Sequence, residues 1–347
     1  SLEDVYGVRF HSSWTGWMNL YSFLSLDFLY IFPIPVRCIA TTTWKRIVVG
    51  ATWPFMILFV GAIVLLACRV YWNVKNHQDN DGNLVGPHAS KLQNLSIQGT
   101  IILLYFAIPT VSRSIFDAIK CRAFADDNQG GSASYLIVDM AIPCNRFADS
   151  RYASIFAIFW VLFVIWIILI PLGFFGLLTY IYEDVKLQRI HALTNSCRFL
   201  WNDYDPSMIY WDVVDTLRKI FLTGLIMLID PQEGSKKILR LVIATVISLL
   251  YFGALLAFRP YKRQGNYNLA FLSNFLLISC FSLGIILKLC DEDENVRGAD
   301  NNGSQSFCSR FIGDSYNSYA ASFLVVTLLL SMLLVTICLA IINTVME

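Results

Sequence analysis

The chain has 347 residues, of which 56% are apolar, 14% aromatic and only 15% charged, with mean hydropathy +0.57. Soluble domains carry about 25% charged residues, so the composition excludes an ordinary soluble fold, together with disordered, collagenous and small disulfide-scaffold classes. Lys and Arg total 26 against 25 Asp and Glu, and a net charge of +1 supplies no basic field for nucleic acid.

The apolar residues come in blocks, and a helix needs about 20 of them to cross a hydrocarbon core of about 30 Å. The chain opens on Ser1 with no signal-peptide pattern, and it is expected to be the membrane part of something longer or processed. Residues 14–36, WTGWMNLYSFLSLDFLYIFPIPV, carry Asp27 and end in Pro33 and Pro35. With Trp14 and Trp17 at interfacial depth, they predict an interfacial or re-entrant helix inside an N-terminal segment, 1–46. Seven spans are expected after it, over 47–71, 97–119, 153–182, 211–229, 237–258, 268–289 and 319–344. Only helices and closed barrels satisfy their backbone in lipid, and no segment alternates as a barrel strand does. The expected fold is therefore all-α, a polytopic transmembrane bundle. It divides into 47–96, a first span with its cytosolic loop; 97–258, a sensor-like four-helix bundle; and 259–347, the last two spans with their connecting loop, a candidate pore module.

An odd number of spans puts the two ends of the chain on opposite sides. Lys/Arg counting does not choose between them, because both sides carry similar numbers. Of the nine Cys, Cys38, Cys121, Cys144, Cys290 and Cys308 fall on the N-terminal side, and Cys197 alone lies in an opposite loop. Disulfides persist in oxidising compartments, so Cys121 with Cys144 and Cys290 with Cys308 are candidate bridges, Cys38 competing; buried free thiols are the alternative. The sequon Asn302-Gly303-Ser304 lies on the same side, a candidate glycosylation site. Together these favour an outward N-terminal side and a cytosolic C-terminus, in a plasma or ciliary membrane.

The densest charge lies in the fourth expected span: Asp212, Asp215, Arg218 and Lys219, following Trp211. Intramembrane ionisable residues are costly and point to function by default. At helical spacing Asp215 reaches Lys219 at i+4 and Arg218 at i+3. Glu183 and Asp184 end the third span, and with Asp212 and Asp215 they form a candidate cation site, Ca²⁺ being the ion that prefers carboxylate oxygens. The alternative is a buried structural pairing. Arg113 and Asp117 form an i, i+4 pair in the second span near the outer face, where Ser112 and Ser114 add hydrogen-bonding capacity; the alternative is a neutralised pair that holds helices together. The fifth span carries Lys236, Lys237 and Arg240 only at its end, which is no voltage sensor.

Several phrases in order carry a family resemblance: IPTVSRSIFDAIKCR ending at Arg122; Tyr135-Leu136, Asp139 and Cys144; Ile170-Pro171-Leu172-Gly173; and Phe199-Leu200 with Tyr204. Tyr210-Trp211-Asp212, Leu217-Arg218-Lys219, Leu222-Thr223-Gly224, Arg259-Pro260-Tyr261 and Asn268-Leu269-Ala270 continue it. From about residue 14 to 290 the chain resembles the C-terminal membrane domain of transient-receptor-potential-like (TRP-like) proteins of algae, oomycetes and other protists. Where that family usually has Glu before the fourth span, this chain has the shorter Asp212. The resemblance implies a cation channel domain that follows a large Cys-rich extracellular region.

In a channel, the pore is expected in the connection 290–318 between the last two spans. It opens with Asp291, Glu292, Asp293 and Glu294 and closes with Gly313 and Asp314, and an acidic mouth concentrates cations. One carboxylate per chain becomes a ring only in a symmetric oligomer, which implies a homotetramer. The alternative is a solvated loop closed by Cys290 and Cys308. Asp79-Asn80-Asp81-Gly82 is no EF-hand loop, since His77 and His88 would stand where Asp and Glu ligands belong. The four His, at positions 11, 77, 88 and 191, share no metal spacing, and no nucleophile, nucleotide or CxxC motif suggests an enzyme. The leading expectation is thus a TRP-like channel domain, without a cofactor other than Ca²⁺, partnered by the bilayer and by its own copies. The alternative is a non-conducting seven-span anchor, receptor or structural subunit that tethers an extracellular region or a larger complex.

Overall fold

A computed structural model describes residues 43–78, 87–126, 131–145, 149–189, 191–229 and 237–297, with scattered positions between 327 and 341. The described residues are mostly helical and fall into two compact units, one before and one after the division between Ile220 and Phe221. Among the described residues five helices are long and apolar enough to cross a membrane, within 43–68, 94–117, 150–186, 238–258 and 264–286. These coincide with five of the seven expected spans. The expected span 319–344 is described only at scattered positions, and the interfacial segment 14–36 lies outside the described residues.

The first unit is built on α1 (Thr43–Gln78) and α2 (Pro87–Asp117). Helix α2 packs against α1, against α3 (Ser150–Phe163), and against the short helices α5 (Ala192–Ser196) and α6 (Arg198–Trp201). That central place explains why Ile108, Val111, Ser112, Ile115 and Phe116 are all at 0% exposure. Gly50 lets α1 approach: a Cβ there would come 3.0 Å from Ser114 Oγ. Gly50→Leu is therefore expected to cost about 1–3 kcal/mol through overpacking, read as a lower thermal midpoint in detergent.

The third membrane helix carries a break in its ladder. After α3 comes a π-helical turn, Val164–Leu169, and then α4, Ile170–Lys186. Pro171 has no N–H to give to the preceding turn, and the amide of Ile170 already reaches back five residues to Ile165 O. The inward stripe Tyr152, Ile155, Phe159, Leu162 thereby continues through Trp166 to Phe174, Leu178 and Ile181. Trp166 meets Phe55 of α1 at 5.2 Å between ring centroids, and Phe116 of α2 meets Phe159 at 5.8 Å.

Two expectations need correction here. The segment 120–152 is not simply a loop: β1 (Cys121–Asp126), β2 (Gly131–Leu136) and β3 (Asp139–Pro143) form an antiparallel sheet in the order β1-β2-β3, so the fold is not purely helical. Cys121 pairs with Leu136 and Asp126 with Gly131, and the Cys121–Cys144 disulfide ties the first strand to the end of the third. The expected span 211–229 is not one long helix either. It is α7 (Trp211–Thr223), ending at Gly224, followed by a 3-10 turn, Leu225–Ile229. Its charges keep it from being a continuous apolar rod.

In the second unit α8 (Lys237–Phe258) and α9 (Gln264–Arg297) form a hairpin, with Phe252 and Phe271 at 5.1 Å between centroids. The turn is made by Arg259, at φ 43°, and the following Pro260; the Arg259 guanidinium lies 5.9 Å from the centre of the Tyr267 ring. A positive φ at a non-glycine costs energy, and Pro260 cannot continue the helix, so the chain reverses here.

Candidate functional site

The charges of α7 pair with one another and with two tyrosines. Asp215 Oδ1 accepts Arg218 Nη2 at 2.7 Å and Nε at 3.2 Å, and Asp215 Oδ2 lies 2.7 Å from Lys219 Nζ. Lys219 also donates to the Tyr105 hydroxyl at 3.1 Å, with its ammonium 5.3 Å from that ring's centre. Tyr105, from α2, donates onward to Asp212 Oδ1 at 3.3 Å, and Tyr204 donates to the same oxygen at 3.2 Å. One connected path therefore runs from Arg218 through Asp215, Lys219 and Tyr105 to Asp212.

Local sequence explains the arrangement. Helical spacing stacks Asp215 beneath Arg218 and Lys219, while Asp212, three residues before Asp215, opens the helix where its dipole favours an acid. Pro206 to Met208 form a 3-10 turn that carries the chain from Tyr204 into α7. Tyr210 meets Phe175 at 5.1 Å in a tilted contact and stacks on Tyr182 at 6.2 Å, which fixes the start of α7 against α4. On the opposite side Phe199 meets Tyr105 edge-on at 5.3 Å. Asp212 is 7% exposed and the Asp215 side chain 14%, so each acid depends on its partners rather than on water.

The expected pairing of Asp215 with Arg218 and Lys219 is thus present. The expected four-carboxylate cation site is not gathered. Among the described residues no group of three or more His, Cys, Asp or Glu converges as metal ligands. Asp184 instead lies 3.8 Å from His191, and Glu183 is exposed on α4. Arg113 and Asp117 do approach, at 3.9 Å, but the closer partner of Asp117 is Lys120 at 2.6 Å. These side chains are about a third exposed, where an ion pair contributes about 0–1 kcal/mol.

The acidic run is placed differently from expectation. Asp291, Glu292, Asp293 and Glu294 belong to the last turns of α9, which continues to Arg297, so they do not open a loop. Cys308, Gly313, Asp314 and Asn302 lie outside the described residues, as does the Cys290–Cys308 bridge. Cys197, expected to be apart from the other thiols, is fully buried, and burial pushes its thiol up to about 11. A thiol so placed is inert at neutral pH.

Tyr105 and Tyr204 are the members of the cluster that charge counting overlooks. Tyr105 is 107 residues from Asp212 and 114 from Lys219. The available signal was its position on α2, one turn from Ile101 and close to Ile108, both buried. No protein-family model, no curated protein and no solved structure matches the chain.

Proposed function

We propose that this chain is the membrane domain of a TRP-like cation channel, in which the unit that ends at Ile220 governs conduction by the helices that follow it. The observation that carries the reading is the Asp212–Tyr105–Lys219–Asp215–Arg218 path. A membrane protein keeps such groups at a cost in desolvation, and apolar residues of similar size hold helices together at least as well. The path also sits on α7, the element by which the chain passes from one compact unit to the next. The order of phrases shared with the TRP-like membrane domains supports the same assignment. In this scheme several copies surround a common axis, the acidic end of α9 draws cations, and the sheet closed by Cys121–Cys144 faces the oxidising side.

The test is cation flux through the purified full chain in liposomes, with Asp215→Asn and Lys219→Met as variants. Flux is expected in the unaltered protein, and both variants are expected to change how readily the path opens while leaving the permeating ion unchanged. Joint replacement of residues 291–294 by Asn and Gln is expected to lower cation preference. Absence of flux from a correctly folded oligomer overturns the channel assignment. The non-conducting scaffold then stands, and it has an observation of its own: Asp215 pairs with Arg218 and Lys219 within one unit, as in a static pin.

A further inference from the structure

A cavity of about 560 Å³ lies where α1 and α3 begin, with Trp44, Asp139, Arg151, Ile142, Ile155 and Ile158 in its wall. Membrane-length apolar runs start from both helices at this point, at Thr43 and Ser150. The cavity is therefore level with lipid headgroups, the depth to which an indole such as Trp44, 44% exposed, is suited. Its wall changes character along α3. Arg151 stands at the mouth with its side chain 63% exposed, while Ile155 and Ile158, one and two turns further on, lead along the span.

The charged lining is one acid and one base. Asp139 accepts the Thr43 hydroxyl at 2.6 Å and the Ala141 amide at 3.1 Å, which fixes its carboxylate between α1 and β3. Arg151 is held by Asp149 through Nη2 at 2.9 Å and Nε at 3.3 Å, and a guanidinium has five N–H donors to share among acceptors. A ligand of a single charge would be opposed by one of the two cavity residues. An amphiphile bearing a phosphate and a cationic amine suits both, and the isoleucines suit its acyl chain. We propose that this cavity binds the headgroup of one zwitterionic phospholipid, phosphate toward Arg151 and amine toward Asp139 and Trp44.

The experiment reconstitutes the full chain into vesicles with a phosphatidylcholine that carries a photoreactive group near the glycerol end of one acyl chain. Label is expected to concentrate on the peptide containing Ile155 and Ile158. Unlabelled phosphatidylcholine should compete at a mole fraction about five times lower than phosphatidylglycerol, a preference near 1 kcal/mol. Asp139→Asn should bring the two competitors within about twofold, and Ile158→Trp should abolish capture by filling the cavity. Arg151→Gln, at an exposed position, should weaken capture of both lipids and serves if a cavity variant fails to fold. Equal competition in the unaltered protein, a preference for phosphatidylglycerol, or label equally dense on the exposed α1 positions Phe59 and Val60 overturns the proposal.

Discussion

Asp215→Ala is expected to cost about 3–5 kcal/mol of stability, because it removes the one carboxylate that Arg218 and Lys219 share in a partly buried site. The Arg218 side chain is only 11% exposed and reaches Asp215 at 2.7 Å, so water has little access to take the place of the carboxylate. Lys219 is more open, at 38%, and keeps the Tyr105 hydroxyl; Lys219→Met should therefore cost less than Asp215→Ala. The joint replacement of Asp215, Arg218 and Lys219 by Leu, Met and Met should recover most of the loss, since apolar residues of similar volume match a buried ion network. Thermal unfolding in detergent measures all three. A triple variant as unstable as Asp215→Ala would show that the charges hold the fold by more than mutual neutralisation.

The second large effect is expected at the disulfide. Cys121 and Cys144 are 23 positions apart and close the three-stranded sheet, and removing a bridge of this loop length costs about 2–4 kcal/mol. Cys121→Ser with Cys144→Ser should lower the unfolding midpoint and open 121–145 to proteolysis. Reductant applied to the unaltered protein should reproduce that result. The spans beneath should persist, because α2 and α3 meet through Phe116, Phe159 and Phe163 without help from the sheet. Loss of helix content together with the sheet would make the bridge a condition for folding the whole unit.

The apolar blocks were legible because membrane length leaves few alternatives: 47–71 and 237–258 each fall within a helix of the structure, and 97–119 overruns its helix only by the two residues after Asp117. The pairing within α7 followed from helical spacing, and the Cys121–Cys144 bridge from the side of the membrane on which its thiols were counted. The sheet was not read. Its strands, CRAFAD, GSASYL and DMAIP, are short and lack a steady alternation of apolar and polar residues, although the turn-forming Asp127, Asn128 and Gly130 between the first two mark a hairpin. Tyr105 was missed because an isolated hydroxyl on an apolar helix gives no indication of a partner more than a hundred residues away. The π-helical turn leaves only Pro171 as its trace, and a proline in a span is equally compatible with a simple bend.

The continuity of α9 bears on how ions in solution sense this protein. A helix rises about 1.5 Å per residue, so positions 291–294 stand about 7–12 Å past Ile286, where the apolar run ends. They continue the backbone of α9 past its apolar run instead of opening a loop. The screening length in physiological salt is about 8 Å, comparable with that distance. Ionic strength then determines how far the negative field of these four carboxylates reaches back toward the apolar run.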